Sequence, residues 1–368
     1  MRDALRRLAA GADHVHARAQ RGWYRWSPRA PRWRIEPYLG FGTRSRLTVS
    51  GRVLRDVAHR NVEASTSAWT NAREFWKRLE SDELPGARVR VHHAPQAVEA
   101  VADDEGFFEA TLDLDPPLAR DGWHPLEVEL ADGRGVAAVQ ASALVPPASA
   151  RFGVISDIDD TIVWSNVRRK LRMLTMLARG NARTRKPFKG VGAFYRALQA
   201  GASGGEDNPF FYVSSSPWNL HAPLLDFMTL QDLPRGPLLL RDFGEHLLFG
   251  NEAGAHKHAA IERVLTTYPA LPFILIGDSG ERDPEIYSDI VRAHPSRVPA
   301  IYIRSVDPDP ARVEAIDELV AAVQPTGTQL VLAADSEFAA AHAAAAGHIA
   351  ADALAAVRAD KRDAARDA

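Results

Sequence analysis

Phe152-Gly153-Val154-Ile155-Ser156-Asp157-Ile158-Asp159-Asp160-Thr161-Ile162 is the stretch on which the fold turns. Phe152 to Ile155 form a short apolar run, the kind that fills a strand buried on both faces of a parallel sheet. Such strands end at the edge where ligands bind. Three carboxylates and a threonine come at once after it. Asp157 and Asp159 alternate along the chain, but the backbone turns at a strand end, so both can converge on one ion. Two carboxylates packed together repel unless a cation neutralises them. Mg²⁺ is the natural cation, a hard ion that takes few protein carboxylates and completes its shell with water and phosphate. The plainer reading is a helix cap, since Asp and Thr favour that position. The downstream sequence asks for more than a cap.

Three further pieces arrive in order. Phe210-Phe211-Tyr212-Val213 is a second apolar run, ending in Ser214-Ser215-Ser216-Pro217. Lys257 sits in Gly254-Ala255-His256-Lys257-His258, just ahead of the helical pattern 259–265. Phe273-Ile274-Leu275-Ile276 is another buried-type strand, and it ends in Gly277-Asp278-Ser279-Gly280-Glu281-Arg282-Asp283. This order of strand ends and helix start resembles the four-motif signature of the haloacid-dehalogenase-like phosphotransferases. Within that superfamily, Asp157–Ile162, Ser215-Ser216-Pro217-Trp218-Asn219-Leu220, His256-Lys257 and Gly277–Tyr287 are similar to the catalytic domain of the actin-patch-associated phosphatidate phosphatases. The likeness covers roughly 150–330. Leu39-Gly40-Phe41-Gly42 and the strand after it resemble the N-terminal region of bacterial relatives of that family.

The resemblance implies Mg²⁺-dependent removal of phosphate from phosphatidic acid, and each residue then has a chemical part. A phosphate monoester is a dianion, so an anionic nucleophile needs its charge neutralised first. Mg²⁺ on Asp157, Asp278 and Asp283 would do that, and the superfamily adds the backbone carbonyl at Asp159. Asp157 is then the expected nucleophile, forming an aspartyl-phosphate. Asp159 would protonate the leaving oxygen and later deprotonate the attacking water. The Ser214 hydroxyl and the Lys257 ammonium would hold the phosphoryl oxygens. Ser215 and Thr161 are further expected phosphate-site hydroxyls, Thr161 more naturally as an orderer of the loop. Taken alone, Lys257 reads as an ordinary solvated lysine; its place between the serine run and the Gly-Asp strand makes it a site residue.

The chain of 368 residues, with 46% hydrophobic content, suggests two or three domains with proper cores. A net charge of −2 gives no global pull toward nucleic acid or membrane. With no cysteine, disulfides and thiolate zinc sites are excluded. The Arg-rich start lacks an apolar h-region, so no secretory signal is expected, and no segment reads as a membrane span. A cytoplasmic protein that docks peripherally on membranes is the expectation.

Four parts are expected. Residues 1–34 carry nine Arg against two Asp, with Trp23, Tyr24, Trp26 and Trp33 interleaved. They read as a basic aromatic arm. Residues 35–148 alternate apolar and polar positions (Leu47, Val49 and Val53; Val89 and Val91; Leu112 and Leu114; Leu126, Val128 and Leu130), with a helical insertion near 66–79. A small β-sandwich is the predicted form. Residues 149–334 alternate strands and helices, with strands near 152–157, 210–214, 237–240, 272–277, 300–304 and 329–333. That predicts a doubly wound α/β domain with a parallel sheet. Residues 335–368 read as one Ala-rich helix.

Charge is uneven inside the α/β part. Thr161 to Gly205 holds ten Lys or Arg and no Asp or Glu, and 163–192 is expected to be a basic cap insert. A basic amphipathic helix there reads as a membrane-surface element. Arg168, Arg169, Lys170 and Arg172 are the candidate contacts with anionic phospholipid, against the plainer reading of a solvated face. His14, His16, His92 and His93 have no convincing metal partners. The leading expectation is therefore a phosphatidate phosphatase-like hydrolase using Mg²⁺ and acting on an anionic phospholipid, with no nucleic-acid partner. Two alternatives stand beside it. One is a soluble phosphomonoesterase acting on a nucleotide, a sugar or a polynucleotide end. The other is a non-enzymatic module that binds anionic membranes.

Overall fold

The structure is a computed structural model that describes residues 32–56, 83–132, 136–158, 190–241, 252–306 and 309–366. Asp159, Thr161, the basic residues Arg168, Arg169, Lys170 and Arg172, the insertion near 66–79 and nearly all of the N-terminal arm lie outside the described residues.

Eight strands come first: β1 (Trp33–Pro37), β2 (Gly40–Thr43), β3 (Arg46–Arg55), β4 (Arg88–His93), β5 (Gln96–Val101), β6 (Phe107–Asp113), β7 (Gly122–Leu130) and β8 (Val139–Val145). The residues picked out by alternation are the ones buried: Leu47, Val49, Val89, Val91, Leu112 and Val128 are all at most 2% exposed and share one core. The expected sandwich of separate sheets is not what these strands form. They make one hydrogen-bonded sheet, in the order β1-β3-β2-β8-β7-β4-β5 with β6 on β3. The reason is the length of β3. Its ten residues pair with β1 at one end and β2 at the other, while β6 runs along its opposite edge. Sheet ends β5 and β6 come alongside one another, so the sheet curls about its core.

The second region is built on six strands: β9 (Gly153–Asp157), β10 (Phe210–Pro217), β11 (Leu238–Arg241), β12 (Phe273–Asp278), β13 (Ala300–Arg304) and β14 (Gln329–Ala333). All pairings are parallel, in the order β11-β10-β9-β12-β13-β14. The chain begins at the centre with β9, steps outward through β10 to β11, then returns to the other side of β9 for β12 to β14. Connections thus leave the two neighbours of β9 in opposite directions, which opens a crevice at the carboxyl ends of the central strands.

Period-2 alternation sorts the strand side chains onto two faces. Val154, Phe210, Tyr212, Ile274 and Tyr302 pack with α1 (Val191–Ala200), α2 (His221–Leu230), α6 (Ser336–Ala345) and α7 (Ala353–Arg366). Ile155, Phe211, Val213, Leu275 and Ile301 pack with α3 (Glu252–Thr267), α4 (Asp283–Ala293) and α5 (Pro310–Val323). Each of these fully buried side chains contributes about 2 kcal/mol of apolar transfer. Gly153 marks how tight the sheet is: a Cβ there would meet the Phe273 ring at 2.3 Å.

Residues 336–366 are two helices rather than the single helix expected. Gly347, at φ +73°, ends the first, and a left-handed residue cannot continue a right-handed helix. Ala339, Ala340, Ala343 and Val357 bury both helices on the α/β core.

Candidate active site

Strand register brings the site together. Val213 lies opposite Asp157 across β10 and β9, and Ile276 lies opposite Ser156 across β12 and β9. Asp157 and Asp278 therefore end two adjacent strands, and Ser214, within β10, stands one residue beyond the partner of Asp157. All three are essentially inaccessible to solvent. Asp283 reaches the same point from the first residue of α4, and it can approach only because residue 277 is glycine. A Cβ there would lie 2.5 Å from Asp283 Oδ2. Asp157, Asp278 and Asp283 each present a carboxylate oxygen within 4.8 Å of the others, all buried.

Lys257 crosses the sheet edge from α3 and joins the cluster. Its Nζ lies 2.8 Å from Asp157 Oδ1, 2.7 Å from Asp283 Oδ1 and 2.9 Å from Glu281 Oε2. Burial pushes the Lys257 ammonium down, but Asp157, Asp283 and Glu281 together outweigh it and hold it well above the usual lysine range. Burial, with a smaller push from the charge of Glu281, also raises the Asp283 carboxyl against the pull of Lys257.

Four carboxylates around a single ammonium leave net negative charge in a buried site, a costly arrangement unless another cation shares it. The donors are all hard oxygens, and three of them converge, so a divalent ion of the Mg²⁺ type fits. Within the set Asp283 is the most committed to other partners. Its Oδ1 takes a hydrogen bond from Lys257 and its Oδ2 takes one from the Asp278 amide at 3.2 Å. Asp157 and Asp278 are the more direct candidate ligands. Asp278 Oδ1 accepts from the amides of Gly280 and Glu281 at 2.6 and 3.0 Å, which fixes the turn after β12.

The serine run sits beside this cluster. Ser214 Oγ accepts from the Ser216 amide at 2.9 Å within β10, and Ser215 between them is half-buried. Lys257 lies within the second turn of α3, which starts at Glu252, rather than ahead of the helix. The structure thus gathers Asp157, Lys257, Asp278 and Asp283, with Ser214 on the neighbouring strand.

Two further contributors escape a reading of the sequence alone. Glu281 lies inside the Gly-Asp-Ser-Gly-Glu run, yet only the packing of α3 reveals its bond to Lys257. Arg312, on α5, donates to the carbonyls of Ser279 and Glu281 at 2.9 and 2.7 Å and pairs with Glu285. It braces the loop that carries Asp278 and Asp283. Nothing in the local sequence around Pro310 signals that role.

Residues 152–305, which hold all of these groups except Arg312, match the family described as phosphatidate phosphatase APP1, catalytic domain. The similarity to this family is confined to that segment. Phosphatidate phosphatase APP1 of Saccharomyces cerevisiae is 32% identical over 171 residues, 46% of this chain and 28% of the yeast protein. An uncharacterized protein of Schizosaccharomyces pombe is 32% identical over 163 residues, 43% of this chain and 26% of its own length. The match thus spans less than a third of either relative. Among solved structures, a carbohydrate acetylesterase from Xanthomonas citri aligns over 80% of this chain and 75% of its own, with a TM-score of 0.28 at 12% identity. That superposition is too loose to bear on fold or function. Among the described residues, no helix is long and apolar enough to cross a membrane.

Proposed function

We propose that this chain is a Mg²⁺-dependent phosphohydrolase that releases phosphate and diacylglycerol from phosphatidic acid through an aspartyl-phosphate on Asp157. One observation carries the reading. Buried Asp157, Asp278 and Asp283 converge around Lys257 at the ends of central parallel strands, inside the segment matched to a phosphatidate phosphatase catalytic family. The strand order with helices on both faces supports a doubly wound, haloacid-dehalogenase-like domain.

Bound near Asp157 and Asp278, Mg²⁺ supplies positive charge that offsets both the carboxylates and the phosphate dianion. The chain's own groups do the rest. Asp157 attacks phosphorus as the bond to the glycerol oxygen breaks. Asp159 donates the proton that oxygen needs. Lys257 and the Ser214 hydroxyl hold the phosphoryl oxygens while charge spreads over them. Water then attacks phosphorus and gives a proton to Asp159, phosphate leaves, and Asp157 is free again. The basic residues Arg168, Arg169, Lys170 and Arg172 are the proposed contact with an anionic lipid surface, each worth roughly 1 kcal/mol there.

A phosphate-release screen with Mg²⁺ tests the substrate. Phosphatidic acid in micelles should be hydrolysed well ahead of lysophosphatidic acid and small soluble phosphomonoesters. Preference for a soluble phosphomonoester would move the reading to that class, and no release from any of them would remove the enzyme reading.

A further inference from the structure

The N-terminal sheet reaches the turn that follows the serine run. Arg52, on β3, is only 5% exposed, although arginine is almost never buried unless paired. Every arm of its guanidinium is engaged. Nε and Nη2 donate to the Glu105 carbonyl at 3.1 and 2.8 Å, and Nη2 pairs with Glu83 at 3.1 Å. Nη1 crosses to the α/β region and donates to Asn219 Oδ1 at 2.5 Å. A fork held at two nitrogens by its own region points its third rigidly.

Asn219 sits in the 3₁₀ turn Trp218–Leu220, directly after the run Ser214-Ser215-Ser216-Pro217. Its neighbours are held from the same side. The Trp218 ring stacks on Tyr38 at 4.3 Å and 7°, and the His221 ring lies 4.2 Å from Tyr38. The serine run needs outside support, because the register of β10 on β11 shifts between Val213 and Pro217. The ladder therefore does not set the serine positions by itself.

We propose that Arg52 is a positioning residue: through Asn219 it fixes the end of β10, Ser214–Pro217, against Asp157, making the N-terminal sheet a working part of the site. This rests on the phosphohydrolase reading for its kinetic consequence, though not for its structural one. Small misplacements near a reacting group cost orders of magnitude in rate, so an inter-region bond this close to the serine run is a sensitive point.

The test uses the full chain and a small soluble phosphomonoester, so that lipid docking does not enter. Asn219→Leu removes the acceptor at similar size; Asn219→Asp keeps it. Asn219→Leu should lose about tenfold in kcat/KM, while Asn219→Asp stays near wild type. Arg52→Lys should match Asn219→Leu, and the double variant should be no worse than either alone. The Mg²⁺ concentration for half-maximal rate should not move, since the metal carboxylates lie on β9, β12 and α4. Hydrogen exchange should quicken over 214–221 in Asn219→Leu at an unchanged unfolding midpoint. Wild-type rate and exchange in Asn219→Leu would overturn the proposal, as would a loss that Asn219→Asp shares and the midpoint fully tracks. If the wild type releases no phosphate, the enzyme reading fails and the exchange measurement still decides the clamp.

Discussion

Two groups of charged residues, one in each region, pair at nearly the same distance and do different work. On the N-terminal sheet Arg46 Nε lies 2.6 Å from Asp113 Oδ1, with side chains 64% and 72% exposed. In the α/β region Lys257 Nζ lies 2.8 Å from Asp157 Oδ1, with side chains 3% and 0% exposed. Water screens the first pair, and such pairs contribute little. The second pair has given up its water. Its interactions are strong in the low dielectric, and so is the penalty for leaving any member alone. Burial, rather than bond length, separates a solvated surface pair from the buried cluster of the candidate site.

Breaking the buried member should produce the largest effect. Lys257→Met leaves Asp157, Asp283 and Glu281 facing one another, and we expect a stability loss of about 3–5 kcal/mol, read by denaturant unfolding without added metal. Mg²⁺ should recover more stability in this variant than in wild type. An unchanged midpoint would mean the cluster is not under strain from its own charge.

Asp278→Ala should raise the Mg²⁺ needed for activity steeply and cut turnover about a thousandfold, roughly 4 kcal/mol of barrier. Asp283→Asn should do less, because its oxygens are already committed to Lys257 and the Asp278 amide. Full activity in excess chelator would contradict the metal reading.

His221 sharpens the comparison from the inter-region joint. Burial pushes its imidazole down to about 4. The unfolded chain, with an ordinary histidine near 6.5, binds more protons between those values. Stability should therefore fall as pH drops from about 6.5 to 4, by at most about 3 kcal/mol. His221→Phe should flatten that part of the pH profile. A slope identical to wild type would assign it to other groups. The smallest effect belongs to the exposed pair: Arg46→Ala should leave both the unfolding midpoint and the rate where they are.

Sequence distance decides how much of this can be read from the chain. Strands β9 to β14 are visible because each is a compact apolar run bounded by polar residues. Asp157, Ser214 and Asp278 are visible because they abut those runs, where a parallel sheet exposes its chemistry. The bonds from Lys257 to Asp157 and Glu281 are not, because they arise from how α3 crosses back over the sheet. Arg52 is hidden for the same reason: it meets Asn219 across 167 residues. The single curled sheet depends on β3 serving two partners on one edge, and alternation reports which face is buried, not which strand lies alongside.

Asp157 is the centre of the proposed chemistry, and the most direct measurement is to catch the phosphoryl group on it. Phosphatidic acid labelled with radioactive phosphate is mixed with excess protein and Mg²⁺, quenched in acid within a turnover, and the protein is digested and mapped. Label should appear on the peptide containing Asp157 and be released by hydroxylamine, with neither label nor turnover in Asp157→Asn. Turnover in Asp157→Asn within about tenfold of wild type, near 1.4 kcal/mol of barrier, or rapid turnover with no label on that peptide, would contradict a nucleophilic Asp157.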